Sequence, residues 1–214
     1  LAWCGVAGGE EEVKNHVRRQ RQMCIQESSG TMNFEGVRAV GSLFQKELDK
    51  LGFKTSLTNG EAYGRAGHLI ATRKGKKGPK FLMIGHLDTV FELESPLQEY
   101  SMLNDSIMKG PGVADMKGGD VIIILAMQAL KDAGLLDDMS IEIVMTGDEE
   151  KSGAPLELSK KDLIDAAKRA DIALGFENGD NNPKTIVVSR RGSTGWKLRV
   201  TGNPSHSSQI FTNA

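Results

Sequence analysis

The chain is expected to fold as an α/β domain around a doubly wound, mostly parallel sheet, and three observations predict this. Lys80 to Asp88 contains the continuous apolar run Phe81-Leu82-Met83-Ile84 behind Pro79, the pattern of a central strand buried on both faces. Strand, helix, strand, helix and strand signals then alternate with short links as far as Glu177. Each of these strand patterns ends in or near a His, Asp or Glu, where open α/β sheets place their ligands.

Composition narrows the function. With 27 Lys plus Arg against 28 Asp plus Glu, the chain has no global field to attract nucleic acid or an anionic membrane, so any partner is recognised locally. The cluster Arg18-Arg19-Gln20-Arg21 is short and lacks the interleaved aromatics of a nucleic-acid contact. Cys4 and Cys24 make neither a disulfide framework nor a zinc-ligand spacing. The longest apolar run, Val121 to Met127, suits a buried helix and is too short to span a membrane. Residues 1–9 are rich in small residues, like the tail of a secretory signal, but no charged leader region precedes them. Cytoplasmic and secreted or periplasmic locations both stay open.

The elements follow in order. Glu10 to Gln26 is charged and sparsely apolar and reads as a solvated helix. Asn33 can cap a core-facing helix carrying Val37, Val40, Phe44, Leu48 and Leu51, which Gly52 closes. Short strands are expected over Lys54 to Leu57 and His68 to Arg73, then the central strand from Lys80. Asn104-Asp105 should turn a small hairpin. A helix from Gly118 to Ala133 ends at Gly134, and the strand Ser140 to Thr146 runs into Gly147-Asp148-Glu149-Glu150. Ser159 to Ala170 reads as a helix with Leu163, Ala166, Ala167 and Ala170 on one face, followed by a strand from Asp171 to Glu177. Alternation over Thr185 to Ser189 and Trp196 to Val200 predicts a new antiparallel element and a domain boundary near Arg191.

The loop Gly110-Pro111-Gly112-Val113-Ala114-Asp115-Met116-Lys117-Gly118-Gly119 holds one carboxylate in a small-residue turn. Its spacing matches neither phosphate-cradling glycine motif, and Asp115 would repel a phosphate. Alone, it reads as a strand-to-helix turn with a carboxylate near a helix N-terminus. His86, Asp115, the pair Glu149-Glu150 and Glu177 all fall at strand ends or in this loop, however, and a parallel sheet brings such ends to one crevice. Clustered carboxylates repel and need a cation to hold them together. Imidazole plus carboxylate oxygens without thiolate suits zinc and admits cobalt or manganese. Asp115 has two oxygens with which to bridge two metals, and Asp88 could accept the second imidazole N–H of His86. Of Glu149 and Glu150, one can ligate and the other act as general base.

His86-Leu87-Asp88, the Gly110 to Gly119 loop, Thr146-Gly147-Asp148-Glu149-Glu150, Glu177 and Gly202-Asn203-Pro204-Ser205-His206-Ser207-Ser208 together resemble the co-catalytic zinc exopeptidases that include glutamate carboxypeptidase, aminoacylase and acetylornithine deacetylase. Ser29-Gly30-Thr31-Met32-Asn33 and Ser189-Arg190-Arg191-Gly192 are most similar to the glutamate carboxypeptidase branch. The resemblance runs from about Ser28 onward, and residues 1–27 match poorly. It divides the rest into a catalytic domain over 28–191 and the start of an inserted α+β lid and dimerisation domain over 192–214.

The resemblance implies two zinc ions, with His86 and Glu177 on one, Glu150 on the other and Asp115 bridging both. It implies Glu149 as general base, and His206 as the lid histidine that polarises the scissile carbonyl, in that family often across a dimer; Asp88 counts among the catalytic residues through His86. A cis peptide between Asp115 and Met116 is implied as well. The family's last zinc ligand, a C-terminal His, has no counterpart here, so the chain as it stands is expected to be inactive and to hold about one zinc. The implied reaction is hydrolysis of an amide beside a free carboxylate, on a peptide or N-acyl amino acid, releasing a C-terminal amino acid such as glutamate. N-acyl-amino-acid deacylation and a non-catalytic scaffold that retains the fold are the alternatives.

Overall fold

Phe34–Lys50 forms helix α1, started by the Asn33 side chain, which accepts from the Gly36 amide at 3.1 Å, and ended at Gly52, which takes φ +83°. Val37, Val40, Phe44, Leu48 and Leu51 are all buried, as their spacing predicts. A computed structural model describes the chain over residues 28–104, 107–177, 182, 184–189, 191–192 and 194–202. The expected helix over residues 10–26 and both cysteines lie outside this set.

After α1 come β1 (Lys54–Leu57), β2 (Leu69–Arg73) and β3 (Lys77–His86). A two-stranded antiparallel hairpin follows, β4 (Ser101–Met102) with β5 (Met108–Lys109), where the Asn104 side chain accepts from the Ile107 amide at 2.8 Å. Then come α2 (Gly118–Asp132), β6 (Met139–Thr146), α3 (Leu156–Ser159), α4 (Lys161–Arg169) and β7 (Ile172–Gly175). The main sheet has the order β1-β2-β6-β3-β7. β3 runs parallel to β6 and β7, β2 is antiparallel to β6, and β1 is antiparallel to β2, so β2 alone opposes the common direction.

β3 lies between β6 and β7, so the winding reverses beside it and a crevice opens at its C-terminal end. Strand alternation divides the core. Phe81, Met83, Ile141, Ile143 and Met145 meet Phe44, Leu48, Ile123 and Met127 of α1 and α2, whereas Leu82 and Val144 meet Ala166 of α4 on the other face. Fully burying side chains such as Phe44, Leu48 and Ile123 contributes about 1.5–3 kcal/mol each. Helices therefore cover both faces, which is the doubly wound arrangement.

The structure corrects two expectations of regular structure. The helix expected over Ser159 to Ala170 is broken at Lys160, whose backbone is non-helical and whose ammonium bonds to the Asp148 carbonyl, and Ala167 is exposed. No strand forms over 185–189 or 194–202, where Ile186, Val188, Trp196, Leu198 and Val200 are exposed. Alternation needs a paired neighbour to become a strand, and the described residues place none beside this segment.

Candidate metal centre

The strand register sets the site. His86 pairs with Thr146 and Ile84 with Gly175, so Glu149 and Glu150 beyond β6 and Glu177 beyond β7 arrive at the end of β3. Asp115 comes on the loop before α2. Gly112 takes φ +68°, a conformation a side chain rarely adopts, and its carbonyl accepts from the Lys117 amide at 2.9 Å to close the turn. Within the turn the Asp115–Met116 peptide is cis, as the resemblance implies. Gly119 packs against the Phe176 carbonyl so closely that an added Cβ would lie 2.1 Å from it, which fixes the Asp115 loop to the chain leading to Glu177.

His86 is buried, and its two ring nitrogens are differently placed. Nδ1 lies 2.9 Å from the Asp88 backbone carbonyl, which can only accept, so Nδ1 carries the hydrogen. Nε2 then faces Asp115 Oδ1 at 3.0 Å and Glu177 Oε1 at 3.2 Å. Three electron-rich atoms directed at one point fit a cation. Ligand atoms of His86, Asp115 and Glu177 lie within 4.8 Å of one another, and so do those of His86, Glu149 and Glu150. His86 belongs to both sets, and Asp115 to the first. This donor chemistry fits the zinc, cobalt or manganese expected from the sequence.

Charge crowding shows in the titration behaviour. Burial pushes the Glu150 carboxyl up, the nearby Asp115 adds to this, and His86 opposes it. Burial works to lower His86, but Asp88 and Glu177 outweigh it and hold the imidazole above its ordinary range. Asp120, in the first turn of α2, is fully buried with both carboxylate oxygens unpartnered among the described residues. Burial first, and then Glu177, push it well above the usual carboxylate range against the pull of Lys117.

The expected contact of Asp88 needs correction. Its carboxylate stands 3.6 Å from His86 Nδ1, and the nearer backbone carbonyl orients the ring instead. The carboxylate is drawn to better-placed donors: the Thr31 hydroxyl at 2.7 Å and the amides of Glu149 and Glu150 at 3.0 and 3.1 Å. Asp88 thus sets the turn that carries the two glutamates. His206 lies outside the described residues. His68 stands apart, accepting from the Gly147 amide at Nδ1 and meeting the Ser159 carbonyl at 2.9 Å through Nε2.

Sequence reasoning passed over Thr31, Asp120 and Lys160. Thr31 lies inside a segment already singled out by resemblance, whereas Asp120, ahead of the apolar run in the first turn of its helix, reads as an ordinary N-terminal carboxylate. Nothing in the sequence pairs Lys160 with Asp148.

The architecture is that of the catalytic domains of M20 peptidases. An aminopeptidase PepT from Bacillus cereus overlays with a TM-score of 0.60 at 20% identity, covering 76% of this chain and 43% of its own. An M20 family metallo-carboxypeptidase from Sulfolobus solfataricus overlays at 0.61 with 18% identity, covering 79% and 38%. The chain belongs to peptidase family M20/M25/M40, whose sequence pattern it matches over residues 82–204, more than half its length. The family is one of metal-dependent hydrolases. Carboxypeptidase G2 from Pseudomonas sp. (strain RS-16) is 29% identical over 179 residues, covering 83% of this chain and 42% of that relative. A succinyl-diaminopimelate desuccinylase from Maricaulis maris is 31% identical over 173 residues, covering 77% and 43%. The chain spans less than half the length of these relatives.

Proposed function

We propose that this chain carries the metal-binding core of a zinc-dependent hydrolase that cleaves an amide beside a free carboxylate. The observation that carries this reading is the convergence of Asp115 and Glu177 on His86 Nε2, with Glu149 and Glu150 in a second cluster around the same imidazole. His86, Asp115 and Glu177 would hold one divalent metal, and Glu150 with Asp115 a second. When bound, the metals supply Lewis acidity towards the scissile carbonyl and the attacking water. Glu149, exposed on its turn, takes the proton from that water and returns it to the leaving amine. Asp88 holds the Glu149 amide so that the carboxylate is presented to the crevice. In the full reaction, His206 would polarise the carbonyl, and a homodimer through the lid region would bring it to the site.

Two substrate readings have support. The likeness to carboxypeptidase G2 favours a peptide-like bond and release of a C-terminal amino acid such as glutamate, and the likeness to desuccinylases favours an N-acyl amino acid. Assay of the 214 residues, and of any longer chain containing them, against dipeptides and N-acyl amino acids with and without chelator separates these readings. Chelator-sensitive release of a C-terminal amino acid is expected once the ligand set is complete. Turnover indifferent to chelator, or a longer chain with the full ligand set that stays inert towards every substrate when metal-loaded, would overturn the proposal.

A further inference from the structure

The turn bearing Glu149 and Glu150 is gripped from behind at every residue from Gly147 to Ala154. The Gly147 amide donates to His68 Nδ1 at 3.1 Å, so His68 Nε2 carries the hydrogen that meets the Ser159 carbonyl. The Asp148 carbonyl accepts from Lys160 Nζ at 2.9 Å. Asp88 takes the next two amides. Arg65 donates to the carbonyls of Lys151 and Ser152 at 2.7 and 2.8 Å, Gly153 donates to Asp148 Oδ2 at 2.9 Å, and Ala154 donates to the Tyr63 carbonyl at 3.1 Å.

At the centre is Asp148, wholly buried, whose carboxylate also receives the Ser159 hydroxyl and Lys160 Nζ. A buried charge is costly unless fully paired, and this one is paired on both oxygens. Side chains from three separate segments, around residues 65–68, 88 and 159–160, therefore converge on one turn. They bind its backbone and its Asp148, and leave the carboxylates of Glu149 and Glu150 to face His86. Pairing of buried peptide groups is required for stability in any case; what is particular here is that the paired turn carries the two glutamates that share the His86 cluster.

We propose that Lys160 and His68, acting through Asp148 and Gly147, are positioning residues that fix the backbone from which Glu149 and Glu150 reach the metal centre. The inference rests on the proposed reading of that centre.

The test uses the 214-residue chain titrated with Co2+ alone, with amide hydrogen exchange followed over residues 147–153 in the metal-free protein. A Glu150→Gln control identifies the binding phase that depends on this turn. Lys160→Met is expected to weaken that phase by about 10-fold or more, to leave the phase held by His86, Asp115 and Glu177 unmoved, and to speed exchange of the Gly147, Glu149 and Glu150 amides. Lys160→Arg should restore both readouts. Ser159→Ala, a smaller change, should give the same pattern in weaker form and serves if Lys160→Met does not fold. Wild-type exchange and wild-type cobalt binding in folded Lys160→Met or Ser159→Ala would overturn the proposal. So would a lowered melting temperature with both binding phases unmoved, which marks a purely structural role. The site of Glu150 is expected to bind weakly in this chain, so if wild type shows no phase that Glu150→Gln abolishes, amide exchange decides alone, and unchanged exchange in the variants overturns the clamp.

Discussion

Replacing Asp88 by Asn probes the link between sheet and site with almost no change in volume. Asp88 Oδ1 accepts from the Glu149 amide, and Oδ2 accepts from the Glu150 amide and the Thr31 hydroxyl. An Asn offers one oxygen and one NH2, so one peptide N–H must face a donor. Thr31 decides which. Its hydroxyl can turn and accept, whereas neither amide can, so the stable orientation puts the Asn NH2 at the Oδ2 position and leaves Glu150 without an acceptor. One buried donor left unsatisfied costs about 1–3 kcal/mol, or roughly 2–12 °C of melting temperature for a chain of this size. Asp88→Ala strands both amides and should cost about twice as much. Thermal unfolding gives the magnitude, and residue-resolved hydrogen exchange gives the asymmetry, with Glu150 exchanging faster and Glu149 near its wild-type rate in Asp88→Asn. Equal loss of protection at both amides, or none, would refute this account of Asp88.

Asp120→Asn tests the buried carboxyl of α2. Its raised pKa means that above about pH 4 the folded chain keeps a proton that the unfolded chain has released, so wild-type stability falls as pH rises through this window; the variant should gain on wild type progressively from that pH upward, and parallel melting-temperature curves would refute it. Gly119→Ala should push Phe176, and with it Glu177, away from His86, because the added carbon meets the Phe176 carbonyl at 2.1 Å; weaker zinc binding with α2 intact by circular dichroism is the expected result. Glu149→Gln in an active protein should lose about a thousandfold in turnover while metal stoichiometry holds, since it removes a proton acceptor and not a ligand. Loss of metal instead would show that Glu149 and Glu150 exchange roles.

Much of the site was legible from strand ends alone. His86, Glu149, Glu150 and Glu177 each follow an apolar run that reads as a strand, and parallel strands bring their ends together whatever lies between them. Asp115 was legible through its glycines. The misreadings have a common cause: they concern which neighbour a group meets. Asp88 was expected to hold its own histidine because two residues separate them, but a backbone carbonyl lay nearer, and the carboxylate reached amides 61 and 62 residues away.

By itself the sequence determined the winding of the sheet, the two covered faces and the identity of the residues that gather at the crevice. These follow from local pattern, because apolar periodicity dictates which side of an element must leave water. Tertiary structure alone decided how those residues are held. Lys160 on Asp148, His68 on Gly147 and Arg65 on Lys151 are contacts between segments with no common pattern, formed because a buried polar group takes whichever partner the packed chain brings within reach, and only the packed chain determines which partner that is.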